Sequence, residues 1–242
     1  MITITKNEKE FDCTAAWRVI GQLLNKPESV IGLSTGRTTG NLHRLIGEIY
    51  TRYPFDVRSA TFFGLDEVTN VPRDYTGACY TMLKTELIDS LHIREENFLM
   101  LPTVSTDFAK ACRDFRQELA RRGGIDLLIL GLGENGHLGF NQPGSPLGGE
   151  AWVTRMNAEL EARIRRETNT PAEKELGGVT LGIKDIMHAR HIVLVAKGSN
   201  KAAIVKEMLQ GPVTTDVPAS VLQLHPRCEF LLDSAAAARL TM

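Results

Sequence analysis

The strongest constraint on the fold is an alternation of short, continuous apolar runs with amphipathic segments. Residues 30–35 (VIGLST), 60–63 (ATFF), 98–101 (FLML), 125–130 (IDLLIL) and 191–196 (HIVLVA) read as strands, and 230–232 (FLL) as a further one. Strands that are apolar throughout belong in a sheet covered on both faces. Between them, Ala16, Val19, Ile20, Leu23 and Leu24 recur at helical spacing, as do Leu42, Leu45, Ile46 and Ile49. Similar stripes pass through Tyr80, Leu83, Leu87 and Leu91, and through Phe108, Ala111, Cys112, Phe115 and Leu119. These are core-facing helix surfaces. Strand–helix alternation of this kind predicts an α/β domain with a mostly parallel sheet. In such sheets the ligand crevice lies beyond the carboxyl ends of the strands, so the residues just after each strand decide the function.

Three segments stand out at those positions. Thr35-Gly36-Arg37-Thr38-Thr39-Gly40 joins a strand to a helix. Its glycines and hydroxyls, next to a helix N-terminus, suit a phosphate, although the same residues also make ordinary turns. The segment lacks the GxxxxGK[ST] pattern of a nucleotide-binding P-loop. Asp66-Glu67 comes after the second strand. Only one of two adjacent strand residues faces a crevice. A carboxylate there, desolvated by Phe62, Phe63 and Leu65, suits a general base, while a helix cap or a surface acid is the plainer reading. The third segment is Gly131-Leu132-Gly133-Glu134-Asn135-Gly136-His137-Leu138-Gly139-Phe140-Asn141-Gln142-Pro143. Its GxGxxG spacing invites a dinucleotide reading. That fingerprint should open a helix in the first βα unit, whereas Gly139, Asn141 and Pro143 interrupt any helix here. His137 lies among glycines that let a ligand approach closely. Of the other histidines only His225 reads as a site wall, and core packing explains it as well.

Composition narrows the partners. Lys and Arg total 28 against 29 Asp and Glu, a net charge of −1, which leaves no basic footprint for nucleic acid or an anionic membrane. The 242 residues, 43% hydrophobic and 24% charged, fit a globular chain that needs no disulfide or metal staple. The four cysteines, Cys13, Cys79, Cys112 and Cys228, form no CxxC pair and read as free thiols. The first residues, MITITKNEKEFD, carry early charge, and no apolar run approaches the roughly 20 residues of a bilayer span. A cytoplasmic protein without secretory signal is expected. Residues 144–178 are Gly-rich and then strongly charged, from Glu159 to Glu167, and read as a solvated helix or a lid over the crevice.

Together the three segments resemble the amino-sugar-6-phosphate deaminase/isomerase family, of which glucosamine-6-phosphate deaminases are typical. Weaker echoes are Val179-Thr180-Leu181-Gly182 and residues 218–225 (PASVLQLH). The resemblance spans nearly the whole chain. It implies a single Rossmann-like three-layer α/β/α domain over residues 1–242, with no metal, nucleotide or other cofactor. The implied substrate is glucosamine or galactosamine 6-phosphate, converted to a ketose 6-phosphate and ammonia through a cis-enolamine. Asp66 then matches the base that removes the C2 proton and His137 the ring-opening acid/base. Thr35, Gly36, Arg37 and Thr38 match the phosphate loop.

The sequence also departs from the family pattern. Two carboxylates flank the ring-opening histidine in many members, and here those positions are Asn135 and Gln142. Without a negative charge beside it, His137 is expected to have a lowered pKa. The family draws an Arg and a Lys from the lid side for the phosphate. Arg166 matches the first by spacing, while the second falls on Leu176, with Lys174 the nearest candidate and Arg37 a possible substitute. A chain stopping soon after Arg239 points to a monomer or small homo-oligomer. Two alternatives remain. 6-Phosphogluconolactonases share the fold and a similar histidine loop, but typically carry Thr-Ala-Ser after the histidine and Asp-Glu-Arg at the second strand. A non-catalytic sugar-phosphate sensor also fits Asn135 and Gln142.

Overall fold

In the computed structural model, which describes residues 1–156 and 158–241, the chain builds two sheets. In chain order the elements are β1 (Ile2–Thr5), α1 (Glu8–Asn25), β2 (Val30–Leu33), α2 (Gly40–Arg52), β3 (Thr61–Gly64), β4 (Asp66–Thr69), α3 (Cys79–Leu83) and β5 (Phe98–Leu99). Next come α4 (Phe108–Arg121), β6 (Leu127–Gly131), β7 (Trp152–Thr154), α5 (Ala158–Thr168), β8 (Gly177–Thr180), α6 (Ile183–Met187), β9 (Ile192–Ala196), α7 (Ala202–Gln210) and β10 (Cys228–Asp233). Helix α3 continues as a π-helical turn, Lys84–Ile88.

The large sheet has the order β1-β10-β9-β6-β2-β3-β5, and every pairing in it is parallel. Alternate side chains of each strand enter different cores. Ile31, Phe62, Ile129 and Val193 pack with α1 and α2, whereas Val30, Phe63, Leu128 and Leu194 pack with α4, α6 and α7. This period-two split of all-apolar strands is why the runs carry no polar face. Gly32 completes the fit, since a Cβ there would lie 2.3 Å from Phe63 Cζ and 2.4 Å from Leu128 Cδ1.

From β2 the chain winds outward to β3 and β5; from β6 it winds the other way to β9 and β10. The loops that leave β2 and β6 therefore diverge at the switch point, where a crevice must open. Ser34 sutures their bases, with its N–H on Ile129 O and the Gly131 N–H on its Oγ at 2.8 Å.

The sequence pattern misses the second sheet, antiparallel and ordered β4-β8-β7. Only Leu65 separates β3 from β4, so Asp66 opens a new strand immediately beyond an old one. This small sheet and α5 share a third apolar cluster that includes Val68, Phe140, Ile164 and Leu176. The segment read as a lid thus contains β7 and α5 and runs into β8, and Asn157 within it lies outside the described residues. Among the described residues no helix is long and apolar enough to cross a membrane.

Candidate active site

A cavity of about 1060 Å³ opens at the switch point. Its walls include the 34–39 loop after β2, Asp66 on β4, the 131–142 loop after β6, Lys201 before α7, and the inner face of α5. Asp66, His137, Asn135, Gln142, Thr35, Gly36, Arg37 and Thr38 all line it.

Asp66 and Glu67 divide two tasks between opposite faces of β4. Glu67 is fully buried and accepts from three backbone N–H groups, those of Val68 (2.7 Å), Cys79 (2.8 Å) and Tyr80 (2.8 Å). It is the missing cap of α3, whose Ala78 cap position offers no side-chain acceptor. Burial pushes the Glu67 pKa up, and the three donors oppose that shift. Asp66 turns toward the cavity, 8% exposed, and accepts from the Cys79 thiol at its Oδ1 at 3.5 Å. Burial pushes its pKa up to about 7; the Cys79 thiol pulls against this and the Glu67 charge adds to it. A carboxylate that exchanges its proton near neutrality is suited to general-base work. Glu67 takes the helix-cap reading, and Asp66 is left facing the cavity.

The 131–142 loop carries His137 on a chain of amides. Its Nδ1 lies 2.7 Å from Asn135 Oδ1, which also accepts the His137 backbone N–H at 3.2 Å. Asn135 Nδ2 in turn donates to Gln142 Oε1 at 3.0 Å. Two donors on one oxygen orient the Asn135 amide, so Nδ1 carries the proton and Nε2 keeps its lone pair. Burial and then the Lys201 charge push the His137 pKa down, against the pull of Glu134. Burial and the Lys201 charge thus favour the neutral ring, in the direction expected from the carboxylate-free flanks but for other causes.

Glycines set this geometry. A Cβ on Gly133 would lie 2.2 Å from His137 Nδ1, so only glycine lets the ring fold back on its own loop. Gly139, at φ +57°, lies where a Cβ would meet Asp66 Oδ2 at 3.0 Å and Thr180 Oγ1 at 2.8 Å. The histidine loop is thereby pressed against the acid of the other sheet. No helix opens at this loop, as the dinucleotide fingerprint would require. Asn141 is architectural: its Nδ2 bonds Leu138 O and Leu181 O, and its Oδ1 accepts from Trp152 Nε1. His225 is likewise held in the core, with Nε2 2.9 Å from Ala189 O.

At the other end the 34–39 loop leads into α2. Gly36 has φ +128°, a conformation that favours glycine, and no side chain caps the helix. The loop, the open helix N-terminus and nearby cations have the chemistry an anion would need. The cations differ from those the spacing predicts. Arg166 and Lys174 are exposed and do not line the cavity. On α5, Leu160, Arg163 and Ile164 border the cavity, Arg163 as an exposed residue at its rim 3.9 Å from Glu167, while Arg166 does not border it; Lys174 sits in the turn before β8. Arg37, already expected from the phosphate loop, does line the cavity, joined by Arg163 and Lys201, which the spacing does not predict. Lys201 donates to Leu132 O at 2.7 Å. Burial pushes its pKa down, Glu134 opposes that shift, and Arg37 adds to it. Lys197 also lines the cavity, but its charge is committed to Glu8 (2.6 Å) and Asp12 (3.1 Å). The sequence signal for Lys201 lies in the loop after residues 191–196, a strand end outside the three segments singled out above. Among the described residues no group of three or more His, Cys, Asp or Glu side chains could hold a metal ion.

Comparison with known proteins agrees with this geometry. A family model described as glucosamine-6-phosphate isomerases/6-phosphogluconolactonase matches residues 15–229. The glucosamine-6-phosphate deaminase of Thermoanaerobacter pseudethanolicus is 34% identical over 236 residues, 98% of this chain and 93% of the relative. That of Halothermothrix orenii is 34% identical over 239 residues, 99% of each. Among solved structures, a monomeric glucosamine-6-phosphate deaminase superposes with a TM-score of 0.90 at 25% identity, covering 99% of both chains. A 6-phosphogluconolactonase from Trypanosoma cruzi gives 0.80 at 22%, covering 100% of this chain and 97% of the other, a likeness of fold alone. The chain belongs to the glucosamine-6-phosphate isomerase/6-phosphogluconolactonase family.

Proposed function

We propose that the protein deaminates and isomerises glucosamine 6-phosphate to a ketose 6-phosphate and ammonia. The observation that carries this reading is the meeting, in one cavity, of a buried carboxylic acid, which desolvation pushes up to about 7, and an imidazole held through its Nδ1, which burial biases toward the neutral form. The names of the relatives at 34% identity support it.

In the proposed course, the 6-phosphate occupies the cradle formed by Thr35, Gly36, Thr38, Arg37 and Lys201. His137 Nε2 takes the proton of the C1 hydroxyl and returns one to the ring oxygen, which opens the ring. Asp66, ionised, then removes the C2 proton; the electron pair forms the C1–C2 double bond while the C1–O1 carbonyl π pair moves to O1, which takes up a proton from solvent, giving an enolamine. A proton delivered to C1 turns the enolamine into a C2 imine. Water adds to C2, the C–N bond breaks, and ammonia leaves. Each proton transfer by a held side chain supplies roughly 10²–10⁴-fold. The lid helix α5 brings Arg163 over the same cavity. The reading takes the enzyme as cytoplasmic, where a phosphorylated sugar is retained, and as a monomer, in keeping with the monomeric solved deaminase it resembles.

The test is ammonia release beside ketose formation from glucosamine 6-phosphate, with galactosamine 6-phosphate and 6-phosphogluconolactone in parallel arms. Equimolar ammonia and ketose from the gluco epimer is the expected result. Lactone opening without ammonia, or binding of the amino sugar without turnover, overturns the proposal in favour of a lactonase or a sensor.

A further inference from the structure

Resting on the deaminase reading, we propose that Cys79 is a positioning residue whose thiol aims the Asp66 carboxylate and ties it to the phosphate loop. Thr35 Oγ1 donates to Cys79 Sγ at 3.2 Å, and Cys79 Sγ donates to Asp66 Oδ1 at 3.5 Å. The polarity of the chain is consistent throughout: hydroxyl to sulfur, thiol to carboxylate. All three residues line the cavity, and Cys79 is 6% exposed. Glu67 fixes the thiol in turn, because it holds the Cys79 backbone N–H at 2.8 Å on the far side of β4. The two adjacent acids thus act in series. Glu67 sets the start of α3, α3 sets Sγ, and Sγ meets Asp66.

The chemistry of sulfur suits this post. A thiol is a weak donor, so it orients a carboxylate without lowering its basicity as a hydroxyl or an ammonium does. Burial pushes the Cys79 pKa well above its ordinary value, and the Asp66 and Glu67 charges push it further, so the proton stays on sulfur. The titratable groups acting on Asp66 are Glu67 on its own strand and Cys79 on α3. Opposite, β8 presents Thr180 and the 131–142 loop presents Gly139, neither of which titrates.

The decisive experiment is a carbon-13 NMR titration of the Asp66 carboxyl in the full-length protein, assigned by its loss in Asp66→Asn. Cys79→Ala removes a donor to the ionised form, so the midpoint should rise by about half a pH unit. Cys79→Ser restores a donor and should bring the midpoint back to the wild-type value or below it. In turnover, the acid limb of kcat should move with the midpoint in Cys79→Ala while KM stays nearly constant. A Cys79→Ala midpoint equal to wild type overturns the proposal, as does an equal upward shift in Cys79→Ser. The titration needs no substrate: if the wild type released no ammonia, the functional reading would fall and the midpoints would still decide the role of Cys79.

Discussion

The segment from Asp66 to Tyr80 and the loop from Gly131 to Gln142 meet at one cavity but are built on opposite electrostatic plans. The first buries Asp66 beside one weak thiol donor, so desolvation lifts it to about 7. The second holds an imidazole among neutral amides, and there burial and then the Lys201 charge push His137 down. Burial alone, acting on an acid and on a base, moves both groups toward the neutral form. The lesson is that in this site an acid and a base are both biased toward their uncharged forms chiefly by the low dielectric of the cavity.

The contrast breaks most severely at Asp66. Asp66→Asn should lower turnover by about 10³-fold or more, measured as ammonia release. It should also stabilise the fold. The native pKa, about 7, lies above the roughly 3.9 of an unfolded Asp, so the ionised native state is penalised above pH 7. The penalty fades as pH falls from 7 toward 4, because native Asp66 then holds a proton that the unfolded chain has released. The variant should therefore gain up to roughly 4 kcal/mol at about pH 8, and less at about pH 5. Melting curves at the two pH values read this directly; an equal gain at both would refute the assigned pKa.

His137→Gln should cost about 10²-fold on the cyclic sugar, while C2 proton exchange on sugar already open continues. Loss of exchange along with ring opening would mean that the two regions do not divide the chemistry. Glu67→Gln should cost about 1–3 kcal/mol, because an amide supplies one acceptor where three N–H groups point. Denaturant titration checks it, and an unchanged midpoint would remove Glu67 as the cap of α3. The smallest effect is expected from Gln142→Glu. A carboxylate two bonds along the amide chain should raise the His137 pKa, visible as an upward shift of its imidazole titration, and alter the pH–rate profile on cyclic substrate. If neither moved, the neutral amide relay would have no functional weight.

Much of this was legible in the chain. The runs at 30–35, 125–130 and 191–196 announce a parallel sheet because each is apolar on both faces, and the segments after them carry the chemistry. The strands β4, β7 and β8 were hidden, since DEVT, WVT and GGVT are short, polar or glycine-rich and acquire their pattern from pairing with each other. That hidden sheet decides the fate of two acids that look alike in sequence: Glu67 becomes a cap and Asp66 faces the cavity. It also misleads the choice of cations. Spacing along a charged helix cannot say which Arg borders the cavity, and on α5 it is Arg163, beside Leu160 and Ile164, and not Arg166. Lys201 comes from a loop beyond β9, distant in sequence from the lid and adjacent in space to Arg37.

The central claim is that Asp66 moves the C2 proton. Its most direct test is washout of the C2 hydrogen of glucosamine 6-phosphate in heavy water, monitored by proton NMR with wild-type protein and Asp66→Asn at saturating sugar. Exchange in the wild type that disappears in the variant, with sugar affinity retained, is the predicted result; exchange at the wild-type rate in Asp66→Asn would contradict it.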